Sequence, residues 1–97
     1  MELKQKMMQA ATAIAERHGV AAVTRNAIAD KAECAMSAVS YHYGDVKKIH
    51  RAVVQAAIDN KNLTVLGWAI AERHPLTLNN QLPADLYAAA LNRHLKR

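Results

Sequence analysis

A chain of 97 residues with thirteen Lys and Arg against eight Asp and Glu carries a formal net charge of +5, a length that suits one domain with a modest core and excludes a second. The basic balance favours polyanionic partners, yet its cations are spread along the chain and locate no site by themselves. The single cysteine, Cys34, excludes an internal disulfide, no apolar run approaches the roughly 18 residues of a membrane span, and Gln9 and Glu16 interrupt what would be a signal-peptide core, so a cytoplasmic protein is expected.

Leu3, Met7, Ala10, Ala11, Ile14 and Ala15 recur at steps of three and four. That spacing predicts an amphipathic first helix ending near His18, with Gly19 as its stop. The run "VAAV" supplies two apolar anchors, and Thr24 can cap a short second helix over about Arg25 to Ala32. "ECAMS" breaks the pattern, and a third short helix is expected from about Met36 to Tyr43, ended by Gly44. Asp45 can cap a fourth, whose stripe is Ile49, Ala52, Val53, Ala56 and Ala57. Lys47, Lys48 and Arg51 lie near its start, where cations oppose the helix dipole and so suit another purpose.

"DNKN", Asp59 to Asn62, marks a break. "LTVLGWAIAERH" then reads as a helix reaching Pro75, "PLTLNNQLP" as a loop, and Pro83 as the opening of a last helix whose charges match its dipole at both ends. The expectation is all-α, with no strands or repeats. His18, His50, His74 and His94 show no ligand spacing with one another or with Cys34, so no metal site is expected. No catalytic constellation or cofactor motif is present either.

Two short helices joined by a tight connection fit a helix-turn-helix, in which the second helix enters the DNA major groove. The run "VTRNAIADKAECAMSAVSYHYGDVKKI" resembles, without a gap, the N-terminal DNA-binding domain of the TetR family of transcriptional regulators. Its most distinctive part, "VSYHYGDVKKI", is similar to the family's Leu-Tyr-aromatic-His-Phe followed by a small turn, a lysine and a leucine. The resemblance covers about the first half of the chain. It implies a helix-turn-helix domain over residues 1–58 and a short helical segment over 59–97, together a small bundle with two or three helices after the DNA-binding part.

It further implies that Val39, Tyr43 and Ile49 pack, while Thr24, Arg25, Tyr41 and His42 meet the DNA backbone and Asn26 reaches a base edge. Met36, Ser37 and Ala38 match the exposed start of the recognition helix. The chain departs from the pattern at Glu33, where glycine is usual, at Ala35, where a capping residue is common, and at Ser40, where tyrosine is most frequent. Val46 takes the usual lysine position, leaving Lys47 or Lys48 to reach phosphate. Ser40 is kept with the ten positions expected at DNA. Specificity would lean on Asn26, Ser37 and DNA shape, since Met36, Ala38 and Val39 offer only apolar contacts.

Members of the family carry a larger C-terminal domain with an effector pocket, and about 35 residues follow "DNKN" here, which reads as too little for such a pocket. Val65, Leu66, Trp68 and Ile70 make the fifth helix apolar on more than one side. With Leu86, Tyr87 and Leu91 of the last helix they are expected to form a homodimer interface. The resulting expectation is an effector-independent homodimeric repressor on a palindromic operator. The alternative is an interaction module of the same fold that acts on another regulator by heterodimerising with it. An enzyme or ligand carrier has almost no support in the sequence.

Overall fold

The structure, a computed structural model, describes residues 2–96. Among them every regular element is helical: α1 (Leu3–His18), α2 (Arg25–Ala32), α3 (Met36–Tyr43), α4 (Val46–Asn60), α5 (Leu63–Ala71) and α6 (Ala84–Leu95), with 3₁₀ turns at Val20–Ala22 and Pro75–Thr77.

The helix limits follow from capping chemistry. Thr24 Oγ1 accepts the Ala27 N–H at 3.1 Å, Asp45 Oδ1 the Lys48 N–H at 2.9 Å, and Asn62 Oδ1 the Val65 N–H at 3.2 Å, each satisfying a donor that the helix start leaves free. Ala35, at the start of α3, has no such side chain. Gly19 ends α1 at φ +98, where an added Cβ would also meet the Trp68 ring at 2.9 Å. There glycine is required both by conformation and by space.

Three helices, α2, α4 and α5, end in a turn made by a non-glycine residue of positive φ. Glu33, Lys61 and Arg73 adopt φ values of 56, 54 and 59. Each turn closes with the same pair of bonds: Glu33 N–H to Asp30 O and Cys34 N–H to Ala29 O after α2, Lys61 N–H to Ile58 O and Asn62 N–H to Ala57 O after α4, Arg73 N–H to Ile70 O and His74 N–H to Ala69 O after α5. This is the Schellman arrangement, in which the last carbonyls are satisfied by folding the chain back. It also explains one departure from the sequence reading: α5 ends at Ala71 and does not run on to Pro75, because Arg73 has already turned the chain.

One core runs through the whole chain. Met7, Ala11 and Ala15 of α1, Ile28 of α2, Val39 of α3, Ile49, Val53 and Val54 of α4, Val65, Leu66 and Ala69 of α5 and Ala90 of α6 are buried together with Val20 and Val23, the two anchors of "VAAV". Each fully buried Val, Leu or Ile stabilises the fold by about 1.5–3 kcal/mol relative to exposure. Gly67 sits where α5 meets α6, and a Cβ there would meet His94 Cβ at 2.7 Å and the Ala90 carbonyl oxygen at 2.9 Å. The absent side chain lets the two helices approach closely.

That contact corrects the interface expected from sequence. Val65 and Leu66 are 0 % exposed and Ile70 is 8 % exposed within a single chain, so they have almost no surface to offer a second copy. Trp68 is half-buried, meets the His94 ring edge-on at 5.1 Å and donates its Nε1–H to the Glu16 carbonyl at 3.1 Å. The apolar circumference of α5 is covered by α1, α4 and α6 of its own chain. Of the residues assigned to pairing, Leu86 and Leu91 are half-buried and Tyr87 is exposed, all on α6.

Candidate nucleic-acid interface

Eight residues form α3, and only Val39 among them is buried. The rest follow from its attachment through Val39 and Tyr43, to which Ala38 adds, half-buried against the core and not exposed as the sequence suggested. Val39 enters the core, and Tyr43 packs half-buried against it, its hydroxyl donating to the Lys4 carbonyl at 3.1 Å while Lys4 Nζ lies 5.7 Å from the ring centroid. Burial first, then the Glu2 carboxylate, raises the Tyr43 hydroxyl above its ordinary pKa. It therefore stays protonated and serves as a donor.

With that side fixed, Met36, Ser37, Tyr41 and His42 stand on the exposed side of α3. Tyr41 is 85 % exposed and Met36 is 45 % exposed, values high for side chains with so much apolar surface. The Tyr41 and His42 rings meet edge-on at 5.2 Å, which steadies both without covering either. Ser40 is half-buried, and its Oγ accepts from Arg25 Nη1 at 3.1 Å, joining α3 to the start of α2. One guanidinium nitrogen of Arg25 is thus occupied, and its remaining donors are left to other partners.

Thr24, Arg25 and Asn26 are exposed at the start of α2, and Lys47 and Lys48 are exposed in the first turn of α4. The Gly44 turn, φ +80, lies against the Lys48 stem, whose Cδ would be 3.0 Å from an added Cβ. Gly44 thereby lets the lysine stem cross the turn between α3 and α4. Of the ten positions expected at DNA, nine are exposed and Ser40 alone is not. They fall at the start of α2, along α3 and in the first turn of α4, the elements on either side of two short connections.

Two groups of functional interest carry no local sequence signal. Glu72 accepts the Val20 N–H at 2.9 Å and the Ala21 N–H at 2.7 Å, fixing the turn that leads into α2 from a position 52 residues away. His74, expected only as one of several unassigned histidines, packs beside His50 and Arg51. Burial lowers its pKa below the ordinary 6.5, with the neighbouring His50 and Arg51 adding to the effect and Glu72 opposing it.

The surface carries open recesses, one of them in the C-terminal part. A cleft of about 620 Å³ runs between Thr77 and Tyr87, lined by Leu78, Asn79, Asn80 and Leu82. Most of its lining side chains are exposed. No group of three or more His, Cys, Asp or Glu residues among the described residues is arranged to hold a metal ion. Comparison with known protein families, with curated proteins and with solved structures finds no match to this chain.

Proposed function

We propose that the chain is a sequence-specific DNA-binding transcriptional regulator of TetR-like, helix-turn-helix type, in which α3 enters the major groove and the start of α2 and the first turn of α4 rest on the flanking phosphates. The observation that carries this reading is α3 itself: it buries Val39 alone, with Ala38 and Tyr43 half-buried beside it, its Ser40 is bonded to Arg25, and the exposed Lys47 and Lys48 follow it after the Gly44 turn. A helix built for the core alone would bury a continuous stripe.

In this reading the Tyr41 hydroxyl, the His42 ring and the lysines bond phosphate oxygens, which gives affinity without sequence information. Ser37 and Asn26 read base edges, and the Met36 side chain offers an apolar contact suited to a thymine methyl. Two copies on a twofold axis would read a palindromic operator with half-sites one helical turn, about 34–36 Å, or a multiple apart. Such a pair would use the outer face of α6, where Tyr87 and Leu95 are exposed, and not the buried face of α5.

Selection of bound fragments from a random duplex library, at two salt concentrations, tests the proposal. A consensus with two related half-sites is expected, with affinity falling steeply as salt rises. Recovery of an unenriched library at both salts would sink it. The uncapped start of α3 at Ala35 beside the exposed Met36 favours a second reading, a protein-interaction surface on the same helix. That reading predicts weak and sequence-indifferent DNA binding which Met36→Ala leaves unchanged.

A further inference from the structure

A recess of about 380 Å³ lies between α4 and the turn after α5, lined by Lys47, Lys48, His50, Arg51, His74 and Pro75. No carboxylate is among these residues. Lys47 and Arg51 are one helical turn apart and share a side of α4 with Lys48, while His74 comes from the far half of the sequence and is carried there by the Arg73 turn. The two imidazoles are oriented by hydrogen bonds of their own. His74 Nδ1 accepts the Leu76 N–H at 3.1 Å, so in the neutral ring the proton sits on Nε2. His50 Nε2 is 2.7 Å from the Val23 carbonyl oxygen, which can only accept, so that nitrogen carries a proton too.

The His50 proton is thus engaged by Val23, and the recess is left with the cations and the His74 Nε2–H as donors. Burial first, then the neighbouring His50 and Arg51, disfavours a charge on His74, and Glu72, the carboxylate that opposes them, has both oxygens engaged by the Val20 and Ala21 N–H groups. Neither the Lys47 nor the Arg51 side chain has a hydrogen-bond or ion-pair partner among the described residues. A bound anion adds an attraction to each of these cations and favours the charged form of His74.

We propose that this recess is a phosphate site, in which Arg51 on one wall and His74 on the other hold the phosphate oxygens while Lys47 and Lys48 add charge. Arg51 supplies the planar fork that matches two oxygens at once. The phosphate comes either from a DNA backbone or from a free phosphorylated compound. The first source rests on the DNA-binding reading and extends that surface to the C-terminal half of the chain; the second does not depend on it.

The test uses the full chain with two probes. Inorganic phosphate is titrated at fixed pH and ionic strength, with chloride as the control, while the His74 ring resonances are followed by NMR. A saturable shift specific to phosphate is expected, weakened roughly tenfold or more in Arg51→Gln, as befits loss of a charge-assisted bond, and only partly recovered in Arg51→Lys, which keeps the charge but not the fork. Arg51 is exposed, so its substitution leaves the core intact. In parallel, binding to a short random-sequence duplex is measured against salt. A slope lowered by about one in Arg51→Gln assigns the phosphate to DNA.

An unaltered slope with phosphate saturation intact assigns it to a free compound. A wild-type chain that saturates with phosphate but binds no duplex refutes the DNA reading and leaves the site standing. No phosphate-specific shift of His74, together with an unaltered duplex slope in Arg51→Gln, overturns the site.

Discussion

Helices α3 and α5 are nearly equal in length, eight and nine residues, yet they are put to opposite uses. Five residues of α5, Val65, Leu66, Gly67, Ala69 and Ile70, are buried, against Val39 alone in α3. The first spends its sequence on other helices of the chain, down to a glycine that removes a Cβ from the α5–α6 contact. The second keeps enough apolar surface to stay attached and turns the rest outward. A short helix that is held at few points and rich in exposed aromatic and polar groups owes its composition to something other than stability.

The sharpest way to break this contrast is to truncate one side chain in each helix. Leu66→Ala should cost about 2–5 kcal/mol in urea unfolding, through lost transfer energy and a residual cavity, whereas Tyr41→Ala should stay within about 0.5 kcal/mol of wild type. Comparable losses for both would mean that α3 is as much a structural element as α5. The tie from Glu72 to the turn before α2 comes next. Removing it by Glu72→Ala should cost about 1.5–3 kcal/mol, the range for hydrogen bonds to a charged group, and amide exchange at Val20 and Ala21 should accelerate. Unchanged protection at those two amides would show that other contacts hold the turn.

Gly67→Ala should cost about 1–3 kcal/mol, since the added methyl has no room beside His94 and Ala90 and the helices must part; a thermal melt equal to that of wild type would refute the close approach. The smallest effect is a pH dependence from His74. Its folded pKa lies below the unfolded value near 6.5, so the unfolded chain binds the proton first as pH falls. Stability contributed by the neutral ring is full above the unfolded value and declines as pH drops through 6.5 toward the lowered folded value. Replacing His74 by Gln should flatten that part of the stability profile, and an identical profile for the variant would remove His74 as its source.

Much of the helical framework was legible, because its limits are set locally. Gly19 and Gly44 stop helices, Thr24 and Asp45 start them, and Pro83 stands just before α6, each acting on residues within one turn. The ends of α2, α4 and α5 were harder, since Glu33, Lys61 and Arg73 take a conformation for which their side chains give no signal. The pairing of α5 was misread for a related reason. An apolar circumference says that a helix is covered, not by what, and Gly67 facing the small residues near Ala90 was the available sign that α6 could do the covering. The exposed side of α3 could be placed from sequence, whereas the nearness of His74 to Arg51 depends on a tertiary turn and could not.

The carboxylate of Glu72 also bears on the order in which the chain can assemble. The turn at Val20–Ala22 sets the entry into α2, but two of its backbone donors find their acceptor only when the end of α5 has docked, about half the sequence later. Trp68 Nε1–H reaching Glu16 and the Asn62 amide donating to the Glu16 carboxylate close the same long loop. Contacts of such separation in sequence are entropically late to form. The N-terminal helices that present α3 are therefore completed from the C-terminal side, and residues 1–62 cut off from α5 would retain helices in search of a fixed arrangement. A boundary drawn between α4 and α5 would cut through one cooperative unit.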